Sequence, residues 1–309
     1  MRKNIQHLRD INDLSADNIR DIIGRAEKFC VDLAHKNDVS HLHRGKVGLS
    51  FFIENSTRTR ISFEMAALRL GINLIHWDSA SSSLSKGESF EDTIETLAAL
   101  APDILIMRHS EYNAPRSVAR FMDCPVVNGG DSYRAHPTQA LLDLLTIQQA
   151  KGDVSKLKIA ICGDIAHSRV ARSNATLLDK LGAELHMVAP EYLMPQDVGY
   201  ENATAFTSLD EGIKGCDVVM MLRLQKERMS QGLITSDQAY FKEFGLTHER
   251  LKQAKPDAII MHPGPMNRGV EIDDAVADDP VRSVIRQQVA NGVPTRMAVL
   301  DWLLEQNKG

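Results

Sequence analysis

The stretch VGLSFFIENSTRTRISFEMAALRLG, residues 47–71, contains the transition that decides the fold. Residues 47–53 are almost wholly apolar, which is typical of a strand buried in a parallel sheet. Residues 57–70 are predicted to form a helix that stops at Gly71, since glycine commonly ends helices. Residues 55–60 span the junction from the strand to the first turn of the helix and hold three hydroxyls and two guanidiniums. We call this segment the hydroxyl–arginine turn.

The same alternation of strand and helix continues along the chain in both directions. Further strands are predicted at 73–77, 104–108, 125–127, 158–162, 184–188, 217–222 and 258–261. Further helices are predicted at 16–35, 88–100, 137–149, 169–181 and 281–306, the last with an interruption at 292–294. This alternation indicates an α/β fold with parallel sheets covered on both faces.

The length of 309 residues favours two domains, and the strands fall into two series. We expect two doubly wound parallel-sheet domains joined by the helix at 137–149, with the C-terminal helix packing back on the first domain. The first domain comprises residues 1–136 and the C-terminal helix of about 285–309. The second domain comprises residues 137–284.

Composition excludes several classes of function. There are 36 Lys and Arg residues against 41 Asp and Glu, a net charge of −5, which disfavours a nucleic-acid surface. No apolar run is long enough to span a membrane, and the start of the chain lacks the apolar core of a signal peptide. The four cysteines are far apart, and neither they nor the histidines have the spacing of metal ligands. We expect a cytoplasmic protein without a metal.

The hydroxyl–arginine turn is a candidate phosphate site. The first N–H groups of a helix lack partners and carry the positive end of the helix dipole, and arginine binds phosphate in a bidentate manner. A plain helix cap with solvated arginines is the alternative. No glycine-rich nucleotide fingerprint is present, so a nucleoside triphosphate or dinucleotide is disfavoured.

The residues Ser-Thr-Arg-Thr-Arg at 56–60 resemble the carbamoyl phosphate signature of the transcarbamoylases. Three further features agree in order and spacing, namely Arg108 after the third strand, HPTQA at 136–140 and HPGP at 262–265. The resemblance implies that the phosphate is held by Ser56, Thr57, Arg58 and Thr59. It also implies that the carbamoyl carbonyl is polarised by Thr59, Arg108 and His136, and that its NH₂ group is bound by Gln139, Gly264 and Pro265.

The acceptor substrate is suggested by the second half of the chain. The HPGP form is similar to that of the aspartate-specific transcarbamoylases, and the chain lacks the Ser-Met-Gly loop of the ornithine enzymes. Two arginines after predicted strands match the two carboxylates of aspartate. The resemblance assigns aspartate binding to Arg169, Arg223, Gln225 and Lys86, with Lys86 also catalytic. Ser83 and Lys86 would come from a neighbouring subunit of a homotrimer with shared active sites.

The expected reaction is transfer of the carbamoyl group of carbamoyl phosphate to the amino group of L-aspartate, in pyrimidine biosynthesis. No cofactor is implied, and neither nucleic acid nor membrane is expected as a partner. A regulatory chain or a dihydroorotase is a possible partner. The alternatives are a transcarbamoylase that uses ornithine or another amino acid, and a non-catalytic scaffold subunit of a pyrimidine-pathway complex.

Overall fold

The computed structural model describes residues 6–77, 87–225 and 236–308. The chain forms two compact units. The first contains Met1–Leu141 and Asn291–Gly309, and the second contains Leu142–Ala290. Among the described residues, none of the helices is sufficiently long and apolar to cross a bilayer.

The first unit is built on a four-stranded parallel sheet in the order β2-β1-β3-β4. Its strands are β1 (Val47–Phe52), β2 (Asn73–Trp77), β3 (Ile104–His109) and β4 (Val126–Asp131). The two central strands are buried almost throughout, whereas β2 is an exposed edge. At the other edge, Leu8 pairs with β4, because its N–H and C=O bond the backbone of Val126 and Asn128 at 2.9 and 2.8 Å.

Helices cover this sheet, and the last helix of the chain is one of them. They are α1 (Ala16–His35), α2 (Thr57–Leu70), α3 (Phe90–Ala99), α4 (Ala114–Val118) and the start of α5 (Pro137–Lys151). The C-terminal helix, α12 (Gly292–Gln306), packs against α1 and α2. The expectation that the C-terminal helix returns to the first unit is therefore confirmed.

The second unit holds a five-stranded parallel sheet in the order β7-β6-β5-β8-β9. Its strands are β5 (Lys158–Cys162), β6 (Glu184–Val188), β7 (Ala203–Phe206), β8 (Val218–Met221) and β9 (Ile259–Met261). Its helices are the remainder of α5, α6 (Arg169–Lys180), α7 (Leu209–Gly212), α8 (Asp237–Phe244), α9 (His248–Leu251), α10 (Asp274–Ala277) and α11 (Ile285–Ala290). The two parallel-sheet α/β domains expected from the sequence are thus confirmed.

The structure differs from the sequence prediction in strand β7, in the final helix, in the domain boundary and in the short helices α4 and α7 to α10, which the sequence did not predict. Strand β7 was not predicted, because it is a half-exposed edge strand whose short sequence Ala-Thr-Ala-Phe has no apolar run. The predicted final helix is two helices, α11 and α12, divided at Asn291. Pro294 lies in the first turn of α12, where the N–H that proline lacks has no intrahelical partner. Residues 285–290, which we had grouped with the first domain, belong to the second unit.

The return of α12 to the first unit is secured by the buried carboxylate of Asp301. Arg25 Nη1 of α1 donates to its Oδ2 at 2.6 Å, and His43 Nε2 lies 2.8 Å from its Oδ1. Burial alone would raise the pKa of Asp301, but hydrogen bonds from His43 and Arg25 outweigh it and lower the pKa. Asp301 therefore ties α1 and the segment before β1 to the C-terminal helix.

We predict that Asp301→Ala lowers the free energy of unfolding of the first unit by about 3 kcal/mol, because it leaves Arg25 and His43 without their buried partner. Tryptophan fluorescence during urea unfolding measures this, since both tryptophans, Trp77 and Trp302, lie in the first unit. Glu305→Ala is the matched control. Glu305 binds the same Arg25 at 2.7 Å but is 40% exposed, so its removal should cost less than about 1 kcal/mol. Equal losses in both variants would contradict the role given to Asp301.

Candidate functional site

The hydroxyl–arginine turn connects β1 to α2 as predicted. Ser56 is the N-cap of α2, and its Oγ accepts the N–H of Thr59 at 3.4 Å. Thr59 is buried, whereas Arg58 and Thr57 are exposed at the start of the helix. Arg60 forms an ion pair with Glu64 at 3.1 Å, one turn further along α2. The turn thus presents hydroxyl groups and a guanidinium at the positive end of a fourteen-residue helix, the environment an anion requires.

Arg108 is buried where β3 ends, beside the ends of β1 and β4. Its Nη1 donates to the carbonyl oxygen of Gly129 at 3.2 Å, and its Nη2 donates to Glu54 Oε1 at 2.5 Å. Thr59 lies at the same place, because a Cβ added to Gly129 would be 3.6 Å from the Thr59 methyl group. The structure therefore brings Thr59 and Arg108 together around Gly129.

Glu54 is a site residue that the sequence analysis did not identify. It follows β1, and its Oε1 accepts a hydrogen bond from Arg108 Nη2, so Glu54 orients the guanidinium of this arginine. The sequence position of Glu54 could have indicated this, because an acidic residue directly after a predicted strand lies at the same sheet edge as Arg108.

His136 and Gln139 lie where the turn after β4 leads into α5. His136 is 4% exposed, and its carbonyl oxygen accepts the N–H of Gln139 at 3.0 Å. Asp131 shapes this turn, because its buried carboxylate accepts the N–H of Ala135 at 3.1 Å and Asn128 Nδ2 at 2.7 Å. Burial raises the pKa of Asp131. The sequence analysis does not identify Asp131, which also accepts the N–H of Asn113, 18 positions earlier, at 3.0 Å.

In the second unit, Asp164 connects two loops that carry predicted aspartate ligands. It follows β5 and is fully buried. Its Oδ1 accepts the backbone N–H and the Nδ1–H of His167 at 3.1 and 2.8 Å, and its Oδ2 accepts the N–H of Gln225 at 3.2 Å. Gln225 Oε1 in turn accepts Arg223 Nη2 at 3.2 Å. Asp164 therefore joins the loop after β5 to the loop after β8.

Arg169 is the first residue of α6 and is 7% exposed. Ser168 caps the helix, with its Oγ accepting the N–H of Ala171 at 3.2 Å. Two arginines and an amide thus follow neighbouring strands of the second sheet, as the sequence predicted. Guanidinium groups in this arrangement can bind carboxylates in a bidentate manner. The sequence analysis does not identify Asp164, because its partner Gln225 is 61 residues away in the sequence.

Gly264 and Pro265 lie in the loop after β9, which we define as the 262–267 loop. The Gly264 N–H donates to His262 Nδ1 at 2.9 Å, and Gly264 has a φ of 65°, a left-handed conformation that glycine adopts readily. His262, the first residue of this loop, is fully buried. Ser83 and Lys86 lie outside the described residues.

Each unit therefore presents its own chemistry at the carboxyl edge of its sheet. The first unit gathers hydroxyls, guanidiniums and an imidazole, which suit a phosphate and a polarised carbonyl. The second unit gathers arginines and an amide, which suit carboxylates.

Comparison with known families gives two matches that together cover nearly the whole chain. Residues 6–149 match the family model described as aspartate/ornithine carbamoyltransferase, carbamoyl-P binding domain. Residues 155–303 match the model described as aspartate/ornithine carbamoyltransferase, Asp/Orn binding domain.

Curated relatives and solved structures agree with these models. The aspartate carbamoyltransferase catalytic subunit of Granulibacter bethesdensis is 50% identical, covering 97% of this chain and 95% of the relative. That of Maricaulis maris is 51% identical, covering 96% and 92%. The Trypanosoma cruzi aspartate transcarbamoylase in complex with carbamoyl phosphate and aspartate has a TM-score of 0.86 at 31% identity, covering 97% of each chain. The Pyrococcus furiosus ornithine carbamoyltransferase has a TM-score of 0.85 at 28% identity, covering 96% of each chain. The chain therefore belongs to the aspartate/ornithine carbamoyltransferase family.

Proposed function

We propose that this chain is an aspartate carbamoyltransferase, which transfers the carbamoyl group of carbamoyl phosphate to L-aspartate in pyrimidine biosynthesis. The products are N-carbamoyl-L-aspartate and phosphate. The observation that carries the choice of acceptor is the arginine pair of the second unit, Arg169 and Arg223. Two guanidiniums complement the two carboxylates of aspartate, whereas the side-chain ammonium of ornithine requires an acidic or neutral polar lining. The identity of about 50% to curated aspartate enzymes supports the same choice.

The hydroxyl–arginine turn holds the phosphate group in this proposal. The hydroxyls of Ser56, Thr57 and Thr59 and the N–H groups at the start of α2 bind the phosphate oxygens. Arg58 also stabilises the leaving group as its negative charge grows. Ser56 Oγ is already near this position, because it accepts the Thr59 N–H.

The carbamoyl carbonyl is polarised by Thr59, Arg108 and His136. Glu54 orients the Arg108 guanidinium, and because a guanidinium has five N–H groups, the same side chain also donates to the substrate carbonyl. His136 precedes a helix N-terminus, whose dipole favours the neutral imidazole, and a neutral imidazole still donates one hydrogen bond. The carbamoyl NH₂ group donates to Gln139 and to the backbone at Gly264 and Pro265.

Aspartate is bound by Arg169, Arg223, Gln225 and Lys86. The substrate amine is the nucleophile, so the reaction needs no covalent enzyme intermediate. The amino nitrogen forms a bond to the carbamoyl carbon, the bond from that carbon to the phosphate oxygen breaks, and the departing phosphate takes the electron pair and the amine proton. The protein contributes orientation of two anionic substrates and stabilisation of the oxyanion.

We also propose a homotrimer in which Ser83 and Lys86 enter the neighbouring subunit's site. An apolar stripe on α2 supports an association surface: Ile61, Met65 and Leu68 follow one another at helical spacing and are 45%, 44% and 75% exposed. Ile75 of the adjacent edge strand β2 is 55% exposed and extends it. We place the protein in the cytoplasm, an assignment supported by four cysteines that form no disulfide.

The first prediction from the proposed function concerns the reaction and its acceptor. Carbamoyl transfer is measured against aspartate, ornithine and other amino acids, and aspartate should be strongly preferred. Arg58→Ala should lower kcat by about 100-fold or more, because it removes a charge that acts on the leaving group. Arg60→Ala, a nearby arginine paired with Glu64, should leave kcat within about threefold, since surface ion pairs contribute little. Preference for ornithine would establish the alternative acceptor, and an inactive wild-type chain would favour a scaffold.

The second prediction concerns Asp164. Asp164→Asn should raise the KM for aspartate about 10- to 100-fold with a smaller change in kcat, because one carboxylate oxygen becomes a donor facing another N–H group. Steady-state kinetics at saturating carbamoyl phosphate measures this. Asp197→Asn is the control, since Asp197 is an exposed carboxylate of the same unit that also accepts a backbone N–H, at 2.9 Å. An unchanged aspartate KM in Asp164→Asn would remove Asp164 from the site.

The third prediction concerns shared sites. Arg58→Ala and Lys86→Ala chains, each nearly inactive, should regain about one quarter of wild-type activity when mixed equally, because one in four interfaces joins two intact contributions. The control is a chain with both substitutions, which should gain nothing on mixing with either variant. Confirmed subunit exchange without recovery would contradict sharing.

A further inference from the structure

A buried histidine–glutamate pair lies beneath the 262–267 loop. His262 and Glu271 are both fully buried, and His262 Nε2 lies 3.2 Å from Glu271 Oε1. The same carboxylate oxygen accepts the N–H of Asn267 at 2.6 Å. The pair therefore holds the loop at both of its ends.

The hydrogen bonds define the proton on the His262 ring. The Gly264 N–H donates to Nδ1, so Nδ1 carries the lone pair. Nε2 then carries the proton and donates it to the Glu271 carboxylate. Glu271 thus keeps His262 in the tautomer that can accept the N–H of Gly264.

In the 262–267 loop, most backbone N–H groups are bonded to buried side chains and so are not available to a ligand. Three of its six residues donate their N–H groups to buried side chains, namely His262 to Gln288 Oε1, Gly264 to His262 Nδ1 and Asn267 to Glu271 Oε1. Two others, Pro263 and Pro265, have no N–H group. Over residues 262–265 each backbone N–H is thus either bonded or lacking, so this part of the loop can offer a ligand its carbonyl oxygens, which accept hydrogen bonds.

Gln288 links the 262–267 loop to helices α5 and α6. Its Oε1 accepts the His262 N–H at 2.9 Å, and its Nε2 donates to Asp143 Oδ1 at 2.7 Å. The other oxygen of Asp143 accepts Asn174 Nδ2 of α6 at 2.8 Å. The donor and acceptor pattern of the 262–267 loop is thus built into the core of the second unit.

We propose that His262 is a specificity-determining positioning residue: by capturing the Gly264 N–H, it makes the Gly264–Pro265 backbone select an acyl phosphate that carries an NH₂ group over one that carries a methyl group. The NH₂ group of carbamoyl phosphate donates to carbonyl oxygens, whereas the methyl group of acetyl phosphate leaves them unpaired. The inference rests on the proposed function, which places the carbamoyl NH₂ group at this backbone.

The test compares binding of carbamoyl phosphate and acetyl phosphate to the full chain by titration calorimetry. The wild type should prefer carbamoyl phosphate by about 10-fold or more, from two or more hydrogen bonds. His262→Gln retains a donor for Glu271 but loses the acceptor for Gly264, so the preference should fall about fivefold. His262→Asn retains an acceptor near the Nδ1 position, so the preference should stay within about twofold of wild type.

His43→Gln is the matched control, because His43 is another buried histidine paired with a carboxylate, in the first unit. It should leave the preference unchanged even if it lowers stability. A purely structural His262 would weaken both ligands equally in His262→Gln, and that result overturns the proposal.

If His262→Gln does not fold, the wild type and His262→Asn still test the proposal, since equal affinity of the wild type for the two ligands, or a lost preference in His262→Asn, overturns it. Because the readout is binding, it is independent of turnover. A chain that transfers nothing to aspartate, but whose preference for carbamoyl phosphate falls in His262→Gln and persists in His262→Asn, would contradict the proposed reaction and support the role of His262.

Discussion

A carboxylate that is buried in a protein must gather hydrogen-bond donors, because the loss of hydration is otherwise too costly. Asp131, Asp164 and Glu271 are all fully buried at or beyond strand ends, and each accepts backbone N–H groups of a loop that leaves its sheet. These loops carry most of the candidate ligands beyond the hydroxyl–arginine turn. The requirement to satisfy each buried charge therefore fixes the geometry of those ligands before any substrate binds.

Two arginines of the candidate site are held by neighbouring polar side chains. Arg108 binds Glu54, and Arg223 binds Gln225, so the protein itself orients both guanidiniums. An arginine that is already oriented loses less conformational freedom when it binds a substrate. Fixed guanidiniums also favour a substrate whose charge and shape match their positions.

The fold itself does not distinguish the acceptor substrate. The Trypanosoma cruzi aspartate enzyme and the Pyrococcus furiosus ornithine enzyme have TM-scores of 0.86 and 0.85 to this chain, so the same backbone fold serves either acceptor. Specificity must therefore reside in side chains at the sheet edges. For the acceptor we propose Arg169 and Arg223, and for the acyl donor we assign part of it to the buried His262.

The sequence by itself determined the alternation of strands and helices, the parallel sheets and most candidate ligands. Apolar runs and the hydroxyl–arginine turn are local patterns, and a strand end marks a sheet edge wherever the strand lies. Strand β7 lacked such a pattern because it is a half-exposed edge. Tertiary structure alone paired Asp164 with Gln225, and it paired Asp301 with residues more than 250 positions away. Folding brings these partners together from distant segments, so the sequence of one segment does not indicate which distant residues it will contact.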